Sequence, residues 1–249
     1  MNAPLLHVEG LVKRFGAVTA CDGLSIDVRP GEIHALIGPN GAGKTTAIAQ
    51  LSGEMRPDAG TVRLDGRDIT RLPPDARARA GLARSFQITA LFGGFTALDN
   101  VALAVQAHAG HSFRFWRPAR TDPDLREPAR AALDAIGLGA RAGIRAASLS
   151  HGEQRQLEIA MALATRPKLL LLDEPMAGMG PEESVRMVQI LAALKGKLAI
   201  LLVEHDMDAV FALADRITVL VAGQAIASGK PDAIRADAGV RAAYLGEPA

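Results

Sequence analysis

Three nearly continuous apolar runs, Ile33–Ile37, Leu169–Leu172 and Leu198–Val203, stand out along the chain. Such runs are the pattern of strands buried on both faces of a parallel sheet. From Leu5 to Val28 the pattern differs. Short apolar segments are broken at Gly10, Gly16 and Gly23, and Thr61–Leu64 followed by Asp65-Gly66 repeats the arrangement. Turn residues at that spacing predict antiparallel strands. Between Gln87 and Ser150 the spacing becomes helical over Ala97–Ala107 and Pro128–Ile136, and it does so again at Gln154–Ala164; Lys44–Leu51 reads the same way. His111–Asp124, rich in Arg and Pro and holding the only tryptophan, Trp116, reads as a solvated loop, with a docking surface for a partner as the alternative.

These elements predict an α/β chain with an inserted helical subdomain, and 249 residues suffice for one such domain. Ligands of open parallel sheets bind beyond the carboxyl ends of the strands. The segments that follow the three runs, Gly38–Thr45, Asp173-Glu174 and Glu204-His205, are therefore expected to converge.

Composition excludes several roles. Although 49% of residues are hydrophobic, no apolar run approaches the roughly 18 residues that span a bilayer, so a membrane role would come through partner subunits. The first residues lack a basic segment followed by an apolar stretch and cleavage site, which predicts a cytosolic address. A net charge of +1 and 4% aromatic residues leave no footprint for nucleic acid. The single Cys21 reads as a small buried hydrophobe.

The chemistry lies at the strand ends. Gly38-Pro39-Asn40-Gly41-Ala42-Gly43-Lys44-Thr45 fits the phosphate-loop pattern between a strand and a helix. Its glycines let successive N–H groups face one concavity, which the helix N-terminus makes positive. Lys44 is placed to reach the β- and γ-phosphates, Thr45 to supply an oxygen to Mg²⁺, and Thr46 joins the nucleotide-binding set. Two adjacent carboxylates at a sheet edge repel unless a cation or a reacting water uses them. Asp173 is expected to hold Mg²⁺, and Glu174 to orient or deprotonate the attacking water. Ser150 and Glu153 have the spacing of a capping box that would start a helix; with Gly152 in its first turn, that helix end is also an anion site.

Taken in order, the phosphate loop, Gln87, the hexad Leu149-Ser150-His151-Gly152-Glu153-Gln154, the pair Asp173-Glu174 and Glu204-His205 resemble the motifs of ABC-type ATPases over almost the whole chain, Leu5 to Gly246. The resemblance implies one ABC ATPase domain, a P-loop NTPase with a RecA-like parallel sheet. Residues 1–88 and 156–249 would form the core with its antiparallel β subdomain, and 89–155 the helical subdomain. It further implies that Phe15 stacks on adenine, that Gln87 touches Mg²⁺ and the water, and that His205 contacts the γ-phosphate. Ser150, Gly152 and Glu153 would serve a nucleotide bound by another subunit. Two positions depart from the family pattern. His151 stands where glycine is more usual, and Gly180 stands where many members carry an aspartate.

Gly31–Ile37, Leu91-Phe92, Ala177-Gly178-Met179, Glu204-His205-Asp206 and Tyr244-Leu245-Gly246-Glu247 look like branched-chain amino-acid uptake ATPases. Urea-uptake and lipopolysaccharide-export ATPases share several of these, and the His111–Asp124 insert favours the amino-acid group. The implied protein hydrolyses ATP with Mg²⁺ at the cytoplasmic face of a bacterial inner membrane. Its partners would be a second ATPase subunit, identical or paralogous, transmembrane permease subunits and, indirectly, a periplasmic binding protein. The alternative from another class is a soluble ABC ATPase that does not transport.

Overall fold

A computed structural model describes residues 3–85, 91–110 and 119–242. In chain order the strands are β1 (Leu6–Phe15), β2 (Val18–Val28), β3 (Ile33–Ile37), β4 (Ala59–Leu64), β5 (Arg67–Asp68), β6 (Leu82–Arg84), β7 (Leu169–Asp173), β8 (Ala199–Val203), β9 (Arg216–Val221) and β10 (Gln224–Gly229). One sheet, ordered β2-β1-β4-β5, is antiparallel; the other is ordered β10-β9-β3-β8-β7-β6, with β9, β3, β8 and β7 parallel. The three apolar runs are the central strands β3, β8 and β7. Leu36 faces a core shared with the antiparallel sheet, whereas Ala35 and Ile37 face a second core with Val210, Ile217 and Ile234. Burial on both faces is why these strands need no polar alternation.

Gly16 lies in the turn between β1 and β2, but Gly10 and Gly23 lie inside the strands, contrary to the expectation that all three mark turns. The β1–β2 register slips beside each of them, and their φ values are +59° and +74°. They are bulge residues, where an extra residue takes a left-handed conformation that glycine adopts without strain.

The chain divides into two compact units, one of Met1–Leu82, Lys168–Glu174 and Leu194–Ala249, the other of Ala83–Pro167 and Pro175–Ala193. The first unit contains helices α1 (Lys44–Ser52) and α2 (Pro74–Ala80). In the second, α3 (Ala97–Ala109), α4 (Pro123–Ala135) and α5 (His151–Ala164) pack on one another, and α6 (Pro181–Leu194) follows. The second unit is thus wider than residues 89–155, because the whole of α5 packs on α3 and α4 and because α6 belongs with them. Helix α4 starts at Pro123 rather than Pro128, since Asp122 caps it and Pro123 takes the first helical position, where its missing N–H costs nothing. The final part of His111–Asp124 is therefore helical, and residues 111–118, with Trp116, lie outside the described residues. Helix α5 begins at His151, earlier than Gln154, because the cap acts at Ser150. No helix among the described residues is long and apolar enough to cross a membrane.

Two buried polar groups fix the first unit. Arg77 is 1% exposed, and its guanidinium donates to the carbonyls of Gln50 and Leu51 (2.7 Å each), Thr70 (2.8 Å) and Leu72 (2.9 Å). Gln50 and Leu51 end α1, so a cation serves the negative end of the helix dipole and its unpaired carbonyls. On β3, His34 lies 2.8 Å from both the Asp27 carbonyl and the Thr218 hydroxyl, which in turn lies 2.8 Å from the Ser228 hydroxyl. A neutral imidazole satisfies this chain, with Nδ1–H donating to Asp27 and Nε2 accepting from Thr218.

Burial, reinforced by Arg216, pushes the His34 pKa down to about 4. The unfolded chain then binds a proton that the fold refuses, so this contribution to stability is complete above pH 6.5 and is lost as pH falls toward 4. Urea unfolding at pH 7.5 and pH 5 should show about 2 kcal/mol of loss from this group. His34→Gln should show a correspondingly smaller drop; equal drops would remove His34 as the source.

Candidate functional site

Helix α1 begins without help from a side chain. Its N-cap is Gly43, at φ +101°, with no side-chain cap and no acid in the first turn. By contrast α3 is capped by Thr96 and α5 by Ser150. No capping side chain serves the first-turn N–H groups of α1, and an anion would suit both their hydrogen-bonding need and the dipole. The loop ahead of it lies directly on neighbouring backbone. A Cβ at Gly38 would collide with the Leu220 carbonyl, and one at Gly43 with the Ala20 carbonyl, so only glycine fits either place. The Ala42 carbonyl accepts from Gly223 N–H (2.9 Å), which ties the loop to the β9–β10 turn.

Lys44 is buried, and its ammonium folds back on the carbonyls of Gly38 (2.6 Å) and Pro39 (3.0 Å). Burial lowers its pKa, with Glu174 and Asp173 pulling the other way. Thr45 is exposed and Thr46 half-buried beside it, while Asn40 and Gly41 complete the loop's outer edge. Phe15, 48% exposed at the end of β1, pairs in register with Val18, two residues from the Ala20 that abuts Gly43. That hairpin carries the ring to the loop's side of the unit.

Strand register brings the three motif ends together, as the sequence predicts. Leu36 of β3 and Asp173 of β7 both align with Val203 of β8, so the phosphate loop, Asp173-Glu174 and Glu204-His205 leave adjacent parallel strands at one edge. Asp173 is 2% exposed. Glu174 has φ +50°, a conformation that costs a non-glycine residue roughly 1–2 kcal/mol, and its N–H bonds the Val203 carbonyl at 2.8 Å. Glu204 is fully buried and accepts from His205 N–H at 2.9 Å, while the His205 side chain is largely exposed. Gln87 lies outside the described residues. The Thr45 hydroxyl and the Asp173 carboxylate are oxygen donors of the kind a hard divalent cation takes.

The remaining site residues belong to the second unit. Ser150 Oγ accepts from Glu153 N–H (3.2 Å) and Glu153 accepts from Ser150 N–H (2.9 Å), which completes the capping box. Arg141 donates twice to Glu153, at 2.9 and 3.2 Å. Burial raises the Glu153 pKa, but the Ser150 N–H and Arg141 outweigh it and hold the carboxyl below its ordinary value. The His151 ring lies beside Gly178, where an added Cβ would stand 3.5 Å from Cε1. Sequence reasoning missed Glu183, which accepts from the Ser150 hydroxyl at 3.0 Å. Its only signal was an acid in the first turn of α6.

Comparison with known proteins agrees with this geometry. Residues 21–177 match the ABC transporter family model, and 226–249 match a model described as branched-chain amino acid ATP-binding cassette transporter. The high-affinity branched-chain amino acid transport ATP-binding protein BraF of Pseudomonas aeruginosa is 40% identical over 254 residues, covering 99% of this chain and 100% of the relative. LivG of Salmonella typhimurium, described in the same words, is 41% identical with the same coverage. The crystal structure of the ADP conformation of an ATP-binding cassette from an ABC transporter superposes with a TM-score of 0.86 at 31% identity, covering 99% of this chain and 100% of that one. The chain belongs to the ABC transporter family, as one of its ATP-binding, ATP-hydrolysing subunits.

Proposed function

We propose that this subunit powers import of branched-chain amino acids, and that two ATPase subunits, identical or paralogous, close on two ATP molecules to drive transmembrane permease subunits. The convergence of three motif ends at one edge of the parallel sheet carries the chemical part of this reading. Names of the relatives support the substrate. The subunit would sit at the cytoplasmic face of the bacterial inner membrane and take its cargo indirectly from a periplasmic binding protein. No nucleic acid enters.

In this scheme the uncapped turn of α1 and the Gly38–Gly43 loop hold the phosphates, and Phe15 offers a face to adenine. Lys44 trades its two carbonyl partners for phosphate oxygens, which are better acceptors for an ammonium. Mg²⁺ held by Thr45, Asp173 and Gln87 would neutralise charge on the β- and γ-phosphates. Glu174 takes the proton of the attacking water or orients it, and His205 positions water and γ-phosphate. Ser150 and Gly152 of the second subunit complete the site, with Glu153 fixing the hydroxyl. Because ATP binds the closed pair better than the open one, its binding biases the permease and its hydrolysis resets it.

Glu174→Gln should retain ATP binding while turnover falls by roughly 10²–10⁴-fold, measured as phosphate release beside nucleotide titration; near-normal turnover would remove Glu174 from water activation. Cells whose sole copy carries Lys44→Ala should lose saturable leucine, isoleucine and valine uptake. Intact uptake of these, with loss of urea uptake, would move the substrate to that related class.

A further inference from the structure

The N-terminus of α5 already holds an anionic group supplied by the same unit. The Glu183 carboxylate takes the Ser150 hydroxyl hydrogen bond at 3.0 Å, and a Cβ on Gly152 would lie 2.5 Å from Glu183 Cδ. The missing side chain at Gly152 is thus the space that Glu183 uses. Its other oxygen lies 3.5 Å from Gly180 N, at the start of α6, so one carboxylate lies between two helix N-termini. Either terminus alone favours an acid.

These are the groups that, on the functional reading above, receive the γ-phosphate of the second subunit's ATP, and the inference rests on that reading. A carboxylate and a phosphate cannot share one serine hydroxyl and one glycine gap without like-charge repulsion. We infer that Glu183 is a positioning residue that holds the anion seat of α5 in the unpaired subunit and is displaced onto the first turn of α6 when a nucleotide phosphate arrives. Displacement costs little on the α6 side, because Gly180 N–H and the helix dipole remain as partners. On the α5 side it exchanges one anion for a more highly charged one, so the seat discriminates in favour of the triphosphate over weaker anions. It also breaks a tie between α5 and the segment that follows Glu174. Gly180, where many members of the family carry an aspartate, adds no side chain of its own beside the Glu183 carboxylate.

The test uses the hydrolysis-impaired Glu174→Gln chain, titrated with ATP and Mg²⁺ while dimer is followed by sedimentation. Adding Glu183→Ala should lower the ATP concentration at half-dimerisation by about tenfold, the worth of a hydrogen bond to a charged group. Glu183→Gln, which keeps the shape and an acceptor, should give a smaller gain in the same direction. In the hydrolytically competent chain Glu183→Ala should lower KM for ATP without raising kcat, a split that loss of mere structural support would not produce. Glu182→Ala, on the same turn but exposed, should change nothing. An unchanged or raised ATP requirement in a chain that does dimerise overturns the gate alone, as does an equal gain from Glu182→Ala. A Glu174→Gln chain that never dimerises with ATP overturns the assembly reading and the gate with it.

Discussion

Everything at the sheet edge depends on one constraint: the first turn of α1 begins with N–H groups that its N-cap residue, a glycine, does not satisfy. Gly43 achieves this by removing the cap, and the loop is held instead by backbone laid on backbone at Ala20, Leu220 and Gly223. A side chain at Gly38 or Gly43 would have to push a strand away. The opposite end of the helix shows the complementary solution. There Arg77, almost fully buried, satisfies the terminal carbonyls from within, so the helix is closed at its C-terminus and open to a ligand at its N-terminus.

Helix α5 uses the same physics differently. Its N-terminus is capped by Ser150, yet the hydroxyl still has its proton to give, and that proton goes to an anion. The two termini differ through residue choice at each N-cap, glycine at one and serine at the other. On the proposed assembly the first would serve the chain's own nucleotide and the second that of a partner subunit.

Much of this is legible in the sequence. Continuous apolar runs announced β3, β7 and β8 because burial on both faces leaves no polar position to confuse the pattern, and motif residues at their ends inherited the convergence from sheet topology. The Ser150–Glu153 box was legible because a cap is local. What the sequence hid was non-local. Glycine at positions 10 and 23 reads alike as turn or bulge, and only the partner strand decides between them. Pro123 and Pro128 both fit a helix start, and Asp122 decides in favour of the first. Arg77 looks like any helix-surface cation until the end of α1 comes to meet it. Glu183 looks like an ordinary first-turn acid until α5 is placed beside it.

On the proposed assembly the catalytic site is complete only when two subunits contribute. The most direct test of this is the rate of ATP hydrolysis per subunit, at saturating ATP and Mg²⁺, as subunit concentration is varied across the monomer–dimer transition. A site shared by two subunits gives a specific rate that rises with concentration and levels off as dimers fill. A constant specific rate in protein that remains monomeric throughout would contradict it.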